Sequence, residues 1–362
     1  LTNTNDTKTA ISSLQTGVDA QGHQKAHEIA EAFENFLREF HKYDQPYDDE
    51  MDAELYEQYA RVLREQTPVF KYFPFKKGRP NFGPSSAGDS PLELYHKAKR
   101  SKKDSRNLTE NQRDWIGLGS EVGNYVQREI MLAERHFEKL TGKKPPFVFE
   151  RTERGEPAFE HFKKRLHVVE HDGEEFAIFG LPDGILKYTA PDGEIFRVGL
   201  EVKSAQKNWS AFKSQEEPKE SHVVQTTAYS EMYGGEAEGP LDYFIVLYYL
   251  TYGREWQEDF SRKKAFGAYV TDADRTELKD RLADATRNAR EGTPPKLDLF
   301  GWRFNDYKGA IIDEMTPEQF QATFDEAMRM VKSNQPKWKR TIYDRTMQEI
   351  RELYEAKNGG EA

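Results

Sequence analysis

Gly180-Leu181-Pro182-Asp183-Gly184-Ile185-Leu186, with Glu201-Val202-Lys203 beginning eighteen residues after Asp183, decides how this chain is read. Residues 176–188 and 195–204 each carry strand-forming residues, and Ala190-Pro191-Asp192-Gly193-Glu194 between them is a turn signal. The two segments are expected to pair as a hairpin that brings Asp183 and Glu201 to one part of a sheet. Side chains alternate along a strand, so Glu201 and Lys203 share a face. Ile178, Phe179, Ile185, Leu186, Phe196, Val198, Leu200 and Val202 surround them. Charges in such a setting are costly unless they bind a metal or each other. Most Asp and Glu residues are simply solvated, and it is the spacing and the apolar flanks that single these two out. The chain has no cysteine. Oxygen donors of this kind suit Mg²⁺ or Mn²⁺ rather than a soft metal.

The arrangement Pro182-Asp183 … Glu201-Val202-Lys203 resembles the PD-(D/E)XK nuclease signature. Short motifs recur by chance, so a second element matters. Gln225-Thr226-Thr227-Ala228-Tyr229 places Gln225 and Tyr229 at i,i+4 on one helix face. It resembles the QxxxY motif of the RecB-like branch, which includes Cas4-like and phage recombination exonucleases. The resemblance covers roughly residues 80–255. It implies an α/β fold with a restriction-endonuclease-like mixed central sheet flanked by helices, carrying helical N- and C-terminal additions. It also implies roles. Asp183, Glu201 and the Val202 carbonyl would hold one or two Mg²⁺ or Mn²⁺ ions. Lys203 would position a water or neutralise developing charge, and Gln225 and Tyr229 would hydrogen-bond the substrate strand near the cut.

Gly117-Leu118-Gly119-Ser120-Glu121-Val122-Gly123 resembles the first motif helix of the same family in two registers. Gly117-xxx-Glu121 supplies a carboxylate; Gly119-xxx-Gly123 leaves empty the slot where many relatives carry a histidine. Glu121, then Glu129, are the candidates for a further metal ligand. Gly301-Trp302-Arg303-Phe304-Asn305 resembles the region where Cas4-like proteins hold an iron–sulfur cluster on cysteines. With Trp302 and Asn305 there and no cysteine anywhere, no iron–sulfur cluster is expected.

Outward from the motifs, residues 1–22 are polar and read as a disordered tail. Residues 23–68 carry two apolar stripes of helical period, read as a helical hairpin. A nuclease core is expected over 69–265, with strands near 147–151, 166–169 and 241–250 and a helix over 112–140. Residues 266–362 are expected as a C-terminal helical region packed on the core. Phe70, Tyr72, Phe73 and Phe75 stand among Lys and Arg. They fit stacking on single-stranded bases or plain docking. His222, three residues before Gln225, is a further candidate for the groove.

A net charge of −10 argues at face value against nucleic acid. Between Lys71 and Arg106, however, ten Lys or Arg face three Asp or Glu. That run is either a solvated face or a phosphate-binding wall. The sequence offers no transmembrane span and no signal pattern, so a cytoplasmic location, in a bacterium or a phage-infected one, is the expectation. The reading is therefore a metal-dependent DNA exonuclease of recombination or repair. It would act on a duplex end or single strand, with a recombinase or single-strand annealing protein as a partner. The alternatives are a structure- or site-specific endonuclease, and a non-hydrolytic DNA-binding assembly factor.

Overall fold

The computed structural model of the chain describes residues 4–72, 76–105, 108–251 and 260–358. In order, α1 (Thr4–Phe40) and α2 (Asp49–Tyr72) precede the short strand β1 (Asn81–Phe82), α3 (Pro91–Lys99) and the long α4 (Glu110–Thr141). Strands β2 (Phe147–Phe149), β3 (Arg165–His171), β4 (Glu174–Gly180), β5 (Gly184–Thr189) and β6 (Ile195–Ala205) follow. After α5 (Trp209–Lys213) and α6 (Glu220–Tyr233) come β7 (Tyr243–Leu250) and β8 (Lys263–Tyr269). Helices α7 (Asp272–Glu291), α8 (Lys308–Glu314), α9 (Pro317–Val331) and α10 (Lys337–Asn358) complete the described chain. Local signals set several starts. Thr109, Thr271 and Thr316 each form a capping box with the residue three positions on, satisfying backbone donors that a helix start leaves free.

The central sheet runs β2-β5-β6-β7-β8. β5 and β6 pair antiparallel across the expected turn, β6 and β7 pair parallel, and β8 returns antiparallel. A parallel pair needs a crossover, and α6 supplies it. The alternation of β6 sorts its side chains between two helical layers. Val198 and Leu200 join Ile245, Leu247 and residues of α1 and α4, among them Phe33, Phe36, Val126 and Ile130. On the opposite face Ile185 and Phe244 pack with Ala228 and Tyr229 of α6 and with Leu278 and Leu282 of α7. This is the mixed α/β architecture, a central sheet between helices, that the sequence led us to expect.

Three expectations need correction. Residues 176–188 are not one strand. β4 ends at Gly180 in a separate sheet, ordered β1-β4-β3, and β5 restarts at Gly184 in the central one. Pro182 has no N–H for a ladder, and Gly180 lies so close to Pro84 that a Cβ there would sit 2.7 Å from the proline ring. Second, α1 begins at Thr4, inside the segment read as a tail. Third, α1 lies along β8 and β7 and is part of the core layer, with Phe33 and Phe36 against Phe147 at ring distances of 5.1 and 5.7 Å. A backbone contact fixes it there, since a Cβ on Gly267 of β8 would meet the Ala26 carbonyl oxygen at 2.1 Å.

At the C-terminal end Trp302 is fully buried, and its Nε1 donates to Glu349 at 3.1 Å. Trp302 and the buried Asn305 thus belong to the packing that closes this region.

Candidate active site

Asp183 and Glu201 come together where the Pro182 turn meets β6. The Val202 amide donates to Asp183 Oδ2 at 2.6 Å. The next residues along β6 alternate: Val202 turns to the α4 side, while Glu201 and Lys203 turn to α6. Lys203 Nζ lies 2.6 Å from Glu201 Oε1 and donates to Gln225 Oε1 at 2.8 Å. Glu201 is 2% exposed, and its Oε2 has no hydrogen-bond partner. Burial, then the neighbouring Asp183, push its carboxyl up to about 8. The Asp183 carboxyl is also raised by burial, against the opposing pull of the Val202 amide and Lys203. Two carboxylates so placed cannot both ionise comfortably without added positive charge.

A third carboxylate, absent from the sequence reading, lies near Asp183. Glu160 follows Phe159 at the start of a single 3-10 turn (Glu160–Lys163). Its φ of 46° is left-handed, a conformation costly for a residue with a side chain. Its amide donates to the Pro182 carbonyl at 2.7 Å, and the Ile185 amide donates to the Ala158 carbonyl at 2.8 Å. The 158–160 segment is thus laced to the Pro182–Ile185 turn. Burial, then Asp183, push the Glu160 carboxyl up to about 7. Gln127 of α4 donates to the Asp183 carbonyl oxygen at 2.9 Å and ties the same turn from the other side. The sequence carried one signal for Glu160, an acidic residue at the end of Glu156-Pro157-Ala158-Phe159, but no periodicity that marks it.

Gln225 and Tyr229 do share a helix face. Both are buried. Gln225 holds Lys203, and Tyr229 Oη donates to the Leu181 carbonyl at 2.6 Å. They therefore brace the lysine and the Pro182 turn from behind. Glu129 does not reach this group: its Oε2 lies 2.7 Å from His41 Nε2, and its Oε1 accepts from Gln45 at 2.6 Å. Glu121 is exposed on α4 and lines a cavity of about 390 Å³ that Glu160 also borders. His222 is half-buried with Nδ1 2.6 Å from Tyr248 Oη. Burial, then Lys203, Lys219 and Lys207, push it down to about 4, so it is neutral at pH 7. Among the described residues no group of three or more His, Asp or Glu side chains is placed so that it could hold a metal ion.

An open cleft of about 780 Å³ reaches Asp183, Glu160, Val202 and Ser204. Its far wall is the N-terminal half of α4, where Gly119 faces Ser204 of β6, Gly123 borders open space, and Trp115 and Ile116 are exposed. The basic run 71–106 is in part paired with acids. Lys76 pairs with Glu175, Lys99 with Glu314 and Lys103 with Asp306, while Lys97 bonds the Ser86 hydroxyl. Arg106, Phe73 and Phe75 lie outside the described residues. Phe70 docks on Phe179, 5.5 Å between ring centres, with Lys164 over its face. No described helix is long and apolar enough to cross a membrane.

No family profile matches the sequence, and no curated protein matches it. Among solved structures, SSO0001 overlaps 72% of this chain and 96% of its own at 9% identity, with a TM-score of 0.36. An alkaline exonuclease (LHK-Exo) from Laribacter hongkongensis overlaps 60% of this chain and 90% of its own at 12% identity, with a TM-score of 0.34. The same exonuclease in complex with dAMP overlaps 62% and 93% at 11% identity, also at 0.34. Structural neighbours of this chain thus include an alkaline exonuclease, at a similarity too low to speak for its activity.

Proposed function

We propose that this chain is a metal-dependent nuclease that hydrolyses phosphodiester bonds of DNA. The observation that carries the reading is the buried Glu201 beside Lys203, with one of its oxygens unpartnered, together with the half-buried Asp183 and Glu160 at the cleft edge. With one ammonium for three carboxyls, burial favours their protonated forms, and a divalent cation would balance the charge they carry once ionised. The residues fit such an ion: oxygen donors only, one of them buried and unsatisfied, suit Mg²⁺ or Mn²⁺. Asp183, Glu201 and the Val202 carbonyl would hold it, with Glu160 adding charge nearby. When bound, the ion supplies an acidified water and a counter-charge for the phosphoryl oxygens.

The chain's own groups do the rest. Lys203, held between Glu201 and Gln225, presents a fixed ammonium where negative charge grows in the transition state. The Val202 amide and Gln127 hold the Asp183 turn in place. Tyr229 pins the Leu181 carbonyl, so the turn cannot swing away from β6. The open cleft admits a strand to Asp183 from the α4 side.

Attack from an end, as an exonuclease, follows from the likeness of Gln225-Thr226-Thr227-Ala228-Tyr229 to the RecB-like motif. Incubation of linear and covalently closed duplexes with Mg²⁺ tests both levels. Degradation of the linear form alone supports the exonuclease. Cutting of closed circles replaces it by an endonuclease. No cleavage of either, with Mg²⁺ or Mn²⁺, removes the nuclease reading.

A further inference from the structure

Tyr248 of β7 pairs in register with Lys203 of β6 on one side and with Lys264 of β8 on the other. Register partners point to the same face, so these three side chains form a row across the sheet on the α6 side. Lys207, just beyond β6, and Lys219, at the start of α6, flank that row. Lys207 Nζ donates to Gln215 Oε1 at 3.0 Å, and Lys264 Nζ donates to the Lys213 carbonyl at 3.0 Å and to the Gln215 carbonyl. The Lys219 amide donates to Tyr248 Oη at 2.9 Å.

These lysines are close enough to perturb one another. The Lys207 ammonium is disfavoured by burial, then by Lys219 and Lys264. Among the described residues none of the three pairs with a carboxylate, although Glu216, Glu217 and Glu220 stand exposed in the same stretch. In a chain with 63 acidic and 53 basic residues, this contrasts with Lys76, Lys99 and Lys103, each of which has an acid partner. Gathered like charges with neutral acceptors and spare N–H donors are a place for an external anion.

We propose that Lys207, Lys219 and Lys264 bind backbone phosphates of a nucleic-acid strand as it passes Lys203. The inference rests on the nuclease reading for the identity of the ligand. The cleft approaches Asp183 from the α4 side and the lysines lie beyond Lys203 on the α6 side, so the catalytic group stands between entry and grip. A strand would be held on both sides of the bond to be broken. Contacts of this kind position the backbone and carry no sequence preference.

The test measures binding without hydrolysis. Anisotropy of a fluorescent single-stranded DNA of about 20 nucleotides is followed in EDTA across a salt series. Each phosphate neutralised adds about 0.7 to the slope of log affinity against log salt on single strands. The triple variant Lys207→Gln, Lys219→Gln, Lys264→Gln should flatten that slope by about 2. Lys76→Gln with Lys99→Gln should leave it unchanged. An unchanged slope in the triple variant, or equal flattening in the control, overturns the proposal. If the triple variant loses its fold by circular dichroism, the exposed Lys219→Gln alone decides. A drop of about 0.7 supports the site, and no drop overturns it. A wild-type protein that cleaves nothing yet shows the lysine-dependent slope keeps the phosphate site and loses the nuclease reading.

Discussion

The Val202 amide donates a 2.6 Å hydrogen bond to Asp183 Oδ2, and this one bond joins the two halves of the candidate site. It fixes the Pro182 turn to the strand that carries Glu201 and Lys203. The second oxygen of Asp183 and Oε2 of Glu201 are thereby left for other work.

Lys203→Ala should lower the cleavage rate on linear duplex DNA by about a hundredfold or more, the usual cost of removing one preorganised charge. The loss should appear in kcat with little change in KM. Single-turnover kinetics with saturating Mg²⁺ measure it. A variant that keeps wild-type kcat would show that Lys203 has no part in the chemistry.

Glu160→Gln gives a pH-dependent stability change whose sign follows from proton binding. The folded chain holds the Glu160 proton up to about 7, against an ordinary value of 4.5. Between those values the folded state binds more protons than the unfolded, so stability falls as pH rises through that window. Without metal, the variant should match the wild type near pH 4 and exceed it above pH 7. Because Glu160 borders the open cleft, the gain is discounted for solvent screening to about 1 kcal/mol. Thermal melts in EDTA at both ends of the range check it, and equal melting curves at pH 8 contradict the argument.

Mg²⁺ should raise the melting temperature at pH 8, by mass action on the folded state. Glu201→Gln should abolish that rise and the cleavage together. A variant that keeps the Mg²⁺-dependent shift would place the ion elsewhere.

Tyr229→Phe removes the donor to the Leu181 carbonyl and leaves a part-buried acceptor unsatisfied. The expected cost is about 1–2 kcal/mol in chemical denaturation. Leu181 is two residues from Asp183, so kcat should fall several-fold as well. A stability loss with unchanged kcat would confine Tyr229 to packing.

Gly267→Ala tests whether α1 is truly part of the core. Its Cβ would meet the Ala26 carbonyl oxygen at 2.1 Å, and backbone on both sides cannot yield easily. A loss of about 1–3 kcal/mol, or more, is expected in urea melts. A neutral substitution would mean that α1 is only loosely laid on β8.

The sequence alone determined that the Asp183 and Glu201 segments meet across one turn, although it ran β4 and β5 together as a single strand. The Ala190–Glu194 turn signal and the period-two pattern fixed the β5–β6 pair. The two-residue spacing put Glu201 and Lys203 on one face, and the four-residue spacing did the same for Gln225 and Tyr229. These are local regularities of backbone geometry, legible without knowing the fold. Tertiary structure alone decided what those side chains touch. Glu160 joins the site through a left-handed residue and backbone bonds to Pro182, and neither leaves a periodic trace. Glu129 has a helical position like that of a ligand, yet His41 and Gln45, more than eighty residues away, claim it. Several lysines of the basic run 71–106 pair with acids distant in the chain, while Lys207, Lys219 and Lys264, unremarkable in the sequence, are brought together near Tyr248 and left without such partners. Charge pairing and burial depend on which segments meet across the fold, and spacing along the chain carries no record of that.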